Sequence, residues 1–290
     1  IKKYYSKKLL KGVLYMSLLG KEIRLSRLFN QKSGKLLAVA VDQAMARGIF
    51  EELMPIERKV SEIVAGGPDA ITMHKGIANL CFRPHVGKAG LILKLSTFSP
   101  WQPNYDAWVT EVEEGIQLGA DAVSMGCIVG GDDQPEQLRN LGIAAGRAAS
   151  YGIPMIAHIY PRGNQIPEEE KNNWKHVAYA VRAGAELGVD IVKTKYTGDP
   201  ESFHKVVSST PAKVVVAGGD KGNNIEDYFK MVYDVIDAGG TGITFGRIVW
   251  NNPNPTAVVQ SFKHIIHENG TVKEAVELYN ELINEPIPNR

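Results

Sequence analysis

The chain has 290 residues, 44% hydrophobic and 22% charged, with 33 Lys and Arg against 32 Asp and Glu for a net charge of +1. That length buries one large core, and the balanced charge excludes the global field that would gather nucleic acid or an anionic membrane surface. Two cysteines, Cys81 and Cys127, cannot make a disulfide framework, and no Cys/His cluster has zinc spacing, so neither a metal nor another cofactor is expected.

The opening, IKKYYSKKLLKGVLYMSLLG, mixes lysines into a short apolar stretch without a clean signal-peptide cleavage site. It reads as an N-terminal helical extension over residues 1–25. No apolar run reaches the ~18 residues of a membrane span, and a reducing cytoplasm is the expected location. Eight short runs rich in Val, Ile and Leu then follow: LLAVAVD (36–42), DAITM (69–73), LILKLS (91–96), DAVSMG (121–126), PMIAHIY (154–160), DIVKTKY (190–196), KVVVAGG (213–219) and GITFG (242–246). Each has the length of a buried strand. Between them lie segments of helical period. In NNIEDYFKMVYDVIDAGG, Ile225, Tyr228, Phe229, Val232, Val235 and Ile236 fall on one face, with Asn224 placed to cap the start. Three strands are announced by one phrase, a small-residue helix end followed by Asp or Gly.

Eight strand–helix alternations without a linker or low-complexity tract predict one domain over residues 1–290, an α/β (β/α)8 TIM barrel. An open doubly wound sheet fits less well, because Asp42-Gln43 stands where a glycine-rich dinucleotide turn would follow the first strand.

Barrel chemistry sits at the carboxyl ends of the strands. Those ends supply Asp42 and Gln43, His74 and Lys75, Lys94 and Ser96, Cys127, His158 and Tyr160, Lys193 and Lys195, Gly218 and Gly219, and Gly246 and Arg247. Strand alternation puts Lys193 and Lys195 on one face, and His158 and Tyr160 on one face of the preceding strand. A lysine in an apolar mouth loses proton affinity, and a second ammonium nearby lowers it further. The neutral amine condenses with a carbonyl to an imine, an electron sink for carbon–carbon bond cleavage. The lysines of strands three and six, Lys94, Lys193 and Lys195, are therefore the candidate amines, with Tyr160 and Asp42 as candidate proton carriers. His74 and His158 read as ordinary buried or hydrogen-bonded histidines, and a metal site would need more ligands than these two. The glycines of AGGDKGNN and FGRIVW, with Arg247, form a candidate phosphate corner. Lys195 and Lys94 are candidates for a second anionic group or for tuning Lys193. Asp199-Pro200-Glu201 reads as a helix start.

VAVDQ, IYPRG, IVKTKYTGDPESF, VVAGG and GITFGRIVW resemble the archaeal-type class I fructose-bisphosphate aldolase family, over about residues 25 to 285. That group also holds deoxyribose-phosphate aldolase, 2-amino-3,7-dideoxy-D-threo-hept-6-ulosonate synthases and the autoinducer-2 processing thiolase. The resemblance implies a metal-free homo-oligomeric barrel acting on a phosphorylated sugar or ketone, with Lys193 as the Schiff-base lysine, Tyr160 and Asp42 as proton carriers, and Gly218, Gly219, Gly246 and Arg247 on phosphate. Two departures fall on the substrate side: Asp42-Gln43-Ala44 replaces the usual Asp-His-Gly, and the fourth strand ends in Cys127-Ile-Val-Gly-Gly. The expected reaction is cleavage or formation of a carbon–carbon bond in a ketose such as fructose 1,6-bisphosphate. The alternatives are a transaldolase-type synthase, a phospho-dione thiolase, or a non-catalytic sugar-phosphate binding barrel.

Overall fold

The computed structural model describes residues 18–219 and 224–287. The apolar runs form strands β1 (Leu36–Ala40), β2 (Ala70–Met73), β3 (Gly90–Lys94), β4 (Ala122–Val129), β5 (Met155–Pro161), β6 (Ile191–Thr194), β7 (Lys213–Ala217) and β8 (Gly242–Phe245). Each pairs in parallel with its neighbour, and β8 returns to β1 with Leu36 opposite Gly242 and Val39 opposite Phe245, closing the barrel. The strands are followed in turn by helices α1 (Ile56–Ala65), α2 (Lys75–Cys81), α3 (Val112–Gln117), α4 (Gln134–Tyr151), α5 (Trp174–Glu186), α6 (Pro200–Ser208), α7 (Ile225–Asp237) and α8 (Pro255–Glu268). This is the (β/α)8 architecture that the alternation predicts.

Strand alternation sorts the side chains into two cores. Leu37, Val39, Ile71, Leu93, Met125 and Val192 point outward into the layer shared with the helices. Leu36, Ala38, Ala70, Ile92, Ile156 and Val215 point inward and fill the lower barrel. Residues 18–28 are helical, and Leu28 and Phe29 at the end of that helix close the inner core from below. Lys21 pairs with Asp190 at 2.9 Å and Arg27 with Asp121 at 3.0 Å, which pins this helix across the barrel floor. The first 17 residues of the expected extension lie outside the described residues.

The recurring Asp before a strand has a local cause. Asp69 accepts from the backbone N–H of Leu37 at 2.6 Å, Asp121 from Leu91 at 3.2 Å and Asp190 from Met155 at 2.9 Å. In each case the carboxylate satisfies an N–H of the preceding strand at the lower rim, where the neighbouring strand has barely begun. Gly242 opens β8 at φ 143°, where a Cβ would sit 2.0 Å from the Leu36 carbonyl oxygen, so barrel closure requires glycine there. The caps fall as read: Asp199 accepts from Ser202 N, and Asn224 from Asp227 N.

Among the elements outside the repeat, one bears on the site. After β3 the chain makes a two-stranded antiparallel ribbon, Ser96–Thr97 against Ala107–Trp108, before α3 begins. The loop it carries reaches the upper rim.

Candidate active site

At the carboxyl ends of the strands lies a cavity of about 720 Å³. Asp42, Lys94, Tyr160, Lys193, Lys195, Gly218, Gly219, Gly246 and Arg247 all line it, so the residues picked from separate strand ends converge on one space. Their convergence follows from the parity of the strands. Ile191 faces the inner core, so Lys193 and Lys195 continue the same inward row upward, as His158 and Tyr160 continue the row of Ile156.

Lys193 is 7% exposed and stands beside His158, its register partner on β5. Its ammonium is brought from an ordinary 10.5 down to about 8, chiefly by burial, with Asp42 opposing and Lys94 adding to the fall. About a tenth is therefore neutral amine at pH ~7, on the order of a hundredfold more than for an ordinary lysine. Burial pushes the Tyr160 phenol up, with Asp42 and Asp106 acting in the same direction and Arg162 against, so the phenol keeps its proton. Burial, then Lys193 and Lys94, hold His158 well below the ordinary imidazole value. His74 is lowered chiefly by burial, and its Nε2 is buried without a hydrogen-bond partner. Both histidines lie on the cavity wall and carry no charge at neutral pH. The amine thus shares the cavity with these imidazoles, the Tyr160 phenol, Asp42, Lys94 and Lys195.

The other side of the cavity is built from the ends of β7 and β8. Gly219 adopts φ 68°, and Arg247 Nη2 donates to its carbonyl at 2.9 Å, tying the two strand ends together. A Cβ on Gly246 would sit 2.4 Å from Gln43 Nε2 and 2.8 Å from the Ala40 carbonyl, so this glycine is needed for the backbone to pass. Gln43, which stands where the resembled family carries histidine, packs here against the β8 turn.

Cys127 is a correction to the strand-end reading. It faces outward, buried in the layer between barrel and helices with Met125 and Val129, and burial pushes its thiol up to about 12. The strand runs three residues beyond the expected end at Gly126, so Cys127 lies within it and not at its end.

The family model for the DeoC/LacD family aldolase matches residues 36–252. The chain is a DeoC/LacD family aldolase. This aldolase is 34% identical over 260 residues to a 2-amino-3,7-dideoxy-D-threo-hept-6-ulosonate synthase of Halobacterium salinarum, covering 89% of this chain and 95% of that one. It is 35% identical to a synthase of the same name from Archaeoglobus fulgidus, over 92% and 98% of the two chains. A solved archaeal fructose-1,6-bisphosphate aldolase, with its catalytic Lys covalently bound to the carbinolamine intermediate, superposes with a TM-score of 0.77 at 28% identity, over 86% of this chain and 99% of that one. The aldolase is accordingly of the Schiff-base class, a carbon–carbon lyase.

Sequence reasoning missed two cavity-side features of the aldolase. Arg162, two residues past Tyr160, stacks its guanidinium 4.4 Å from the Phe98 ring and lines the cavity. Asp106, on the inserted loop, reaches Lys94 Nζ at 3.5 Å. The IYPRG run contained the first signal; nothing in sequence spacing marks the second, because a loop residue has no strand parity.

Proposed function

We propose that Lys193 is the imine-forming amine and that the substrate is a phosphorylated ketose such as fructose 1,6-bisphosphate. The observation carrying this reading is a buried lysine brought down to about 8, in a cavity that also holds Tyr160, Asp42 and the Gly218, Gly219, Gly246 and Arg247 corner. The neutral amine adds to the ketone carbon, the carbinolamine loses water, and the iminium accepts the electron pair of the breaking carbon–carbon bond. Asp42 takes the hydroxyl proton that the departing aldehyde gives up, and Tyr160, whose phenol keeps its proton, serves the oxygen leaving the carbinolamine. Protonation of the enamine and hydrolysis return the free amine and a ketone phosphate. The glycine backbone and Arg247 hold one phosphate, and Lys94 and Lys195 are placed for a second anionic or oxygen-rich group. Glycolytic or gluconeogenic use of such a substrate belongs to this reading.

A second reading has its own support. The synthases of Halobacterium and Archaeoglobus are 34% and 35% identical to this chain, above the 28% of the fructose-bisphosphate aldolase structure. A transaldolase-type synthase uses the same imine but passes the trapped fragment to another carbonyl. Incubation with fructose 1,6-bisphosphate and measurement of triose phosphate separates the two. The lead reading expects release by the wild type and loss of at least about a thousandfold in Lys193→Ala. No release by the wild type, with turnover appearing only when a second carbonyl compound is supplied, selects the synthase.

A further inference from the structure

Asp106 enters the barrel wall from the inserted ribbon and not from a barrel strand. Its side chain is fully buried, and neither carboxylate oxygen has a hydrogen-bond partner. Lys94 is a cationic neighbour, with Nζ 3.5 Å from Oδ2. The fold makes room for it deliberately: a Cβ on Gly126 of β4 would lie 1.4 Å from Asp106 Oδ2. Its backbone is pinned as well. Gln137 Oε1 accepts from Asp106 N at 3.4 Å and from Ile128 N at 3.0 Å, while Gln137 Nε2 donates to the Asn104 carbonyl at 2.9 Å. Lys94 in turn donates to Ser96 Oγ at 2.8 Å, and that hydroxyl accepts from Gly126 N at 2.8 Å.

Stability does not explain such a pair, since a buried ion pair with poor hydrogen bonding is commonly no better than apolar packing. Its position does. Lys94 reaches the cavity, whereas Asp106 stands behind it. We propose that Asp106 is a positioning residue of the active site, fixing the Lys94 ammonium on the cavity wall as a charge that acts on Lys193. The inference rests on Lys193 being the imine-forming amine. Around Lys193 the cavity presents Asp42 from the end of β1, His74 from the end of β2, Lys94 from β3, His158 and Tyr160 from β5, and Arg247 from the end of β8, with Lys195 above it on its own chain segment. Of the charged members, Lys94 disfavours a proton on Lys193 and Asp42 favours one. Removing Asp106 strips a buried ammonium of its counter-ion, which frees Lys94 from its place on the cavity wall, and Lys193 gains proton affinity.

The test needs no substrate. Cyanate carbamylates neutral amines, so its rate at Lys193, read by peptide mass spectrometry across about pH 6 to 10, follows the amine's titration. The wild-type midpoint is expected near 8. In Lys94→Met and in Asp106→Asn it rises by about one pH unit, with roughly tenfold slower reaction near neutrality, and the double variant rises no further. A midpoint left in place in Asp106→Asn overturns the proposal, even where activity falls. Should that variant not fold, an unmoved midpoint in Lys94→Met overturns it equally. Failure of the parent reading looks different: with dihydroxyacetone phosphate and borohydride, the wild type then gives no Lys193 adduct although the midpoints shift, and the positioning role falls with it.

Discussion

Lys193 is maintained at the cost of stability. An unfolded lysine titrates at 10.5, whereas in the folded chain this one titrates at about 8, so between those values the unfolded chain binds a proton that the folded chain does not. Stability therefore rises with pH across that window, and the full penalty, about 3 kcal/mol, is present below it. Lys193→Met should raise stability by about 2 to 3 kcal/mol near neutral pH, with the gain shrinking toward pH ~10. Urea unfolding at the two pH values checks this; a variant no more stable than the parent at neutral pH contradicts it. With Lys193 as the proposed imine-forming amine, the same titration predicts that kcat/KM climbs as pH approaches 8 from below and then levels. Lys193, Tyr160 and Asp42 were legible because strand parity and strand-end position are written in the sequence. Asp106 was not, because only the fold brings a loop carboxylate behind Lys94.

Elements of the barrel were legible to the degree that their physics is local. The eight apolar runs, the Asp199 and Asn224 caps and the small-residue phrase with Asp or Gly before three strands all appear in short windows. The phrase also carries a function within the fold, since Asp190 accepts from Met155 N and pairs with Lys21. Asp190→Ala leaves that strand N–H unsatisfied and should cost about 1 to 3 kcal/mol in chemical denaturation, with Lys193 trapping unchanged. The ribbon of Ser96–Thr97 and Ala107–Trp108 escaped notice because two-residue strands are too short to show a period. Gly242→Ala should be more severe than any cap loss, because a Cβ 2.0 Å from the Leu36 carbonyl oxygen forces β8 away from β1. Soluble yield and cooperative melting read that effect, and a variant that melts like the parent would contradict it.

For the whole molecule, the alternation of eight strands and helices decided the architecture, while the way the barrel is closed below came only from the fold. Leu28 is fully buried against Leu36, Ala38 and Ile92, so the helix of residues 18–28 is part of the inner core and not a loose appendage. Leu28→Ala should cost about 3 to 4 kcal/mol. Among the described residues no helix is long and apolar enough to cross a membrane. Below, apolar layers carry the stability; above, polar groups that cost stability carry the chemistry. The most direct test of that division is borohydride reduction in the presence of dihydroxyacetone phosphate, followed by peptide mapping. One ketose-derived fragment should attach to Lys193 in the wild type and none to the barrel lysines in Lys193→Ala. An adduct on Lys94 or Lys195 in the wild type, or one that persists in Lys193→Ala, would contradict it.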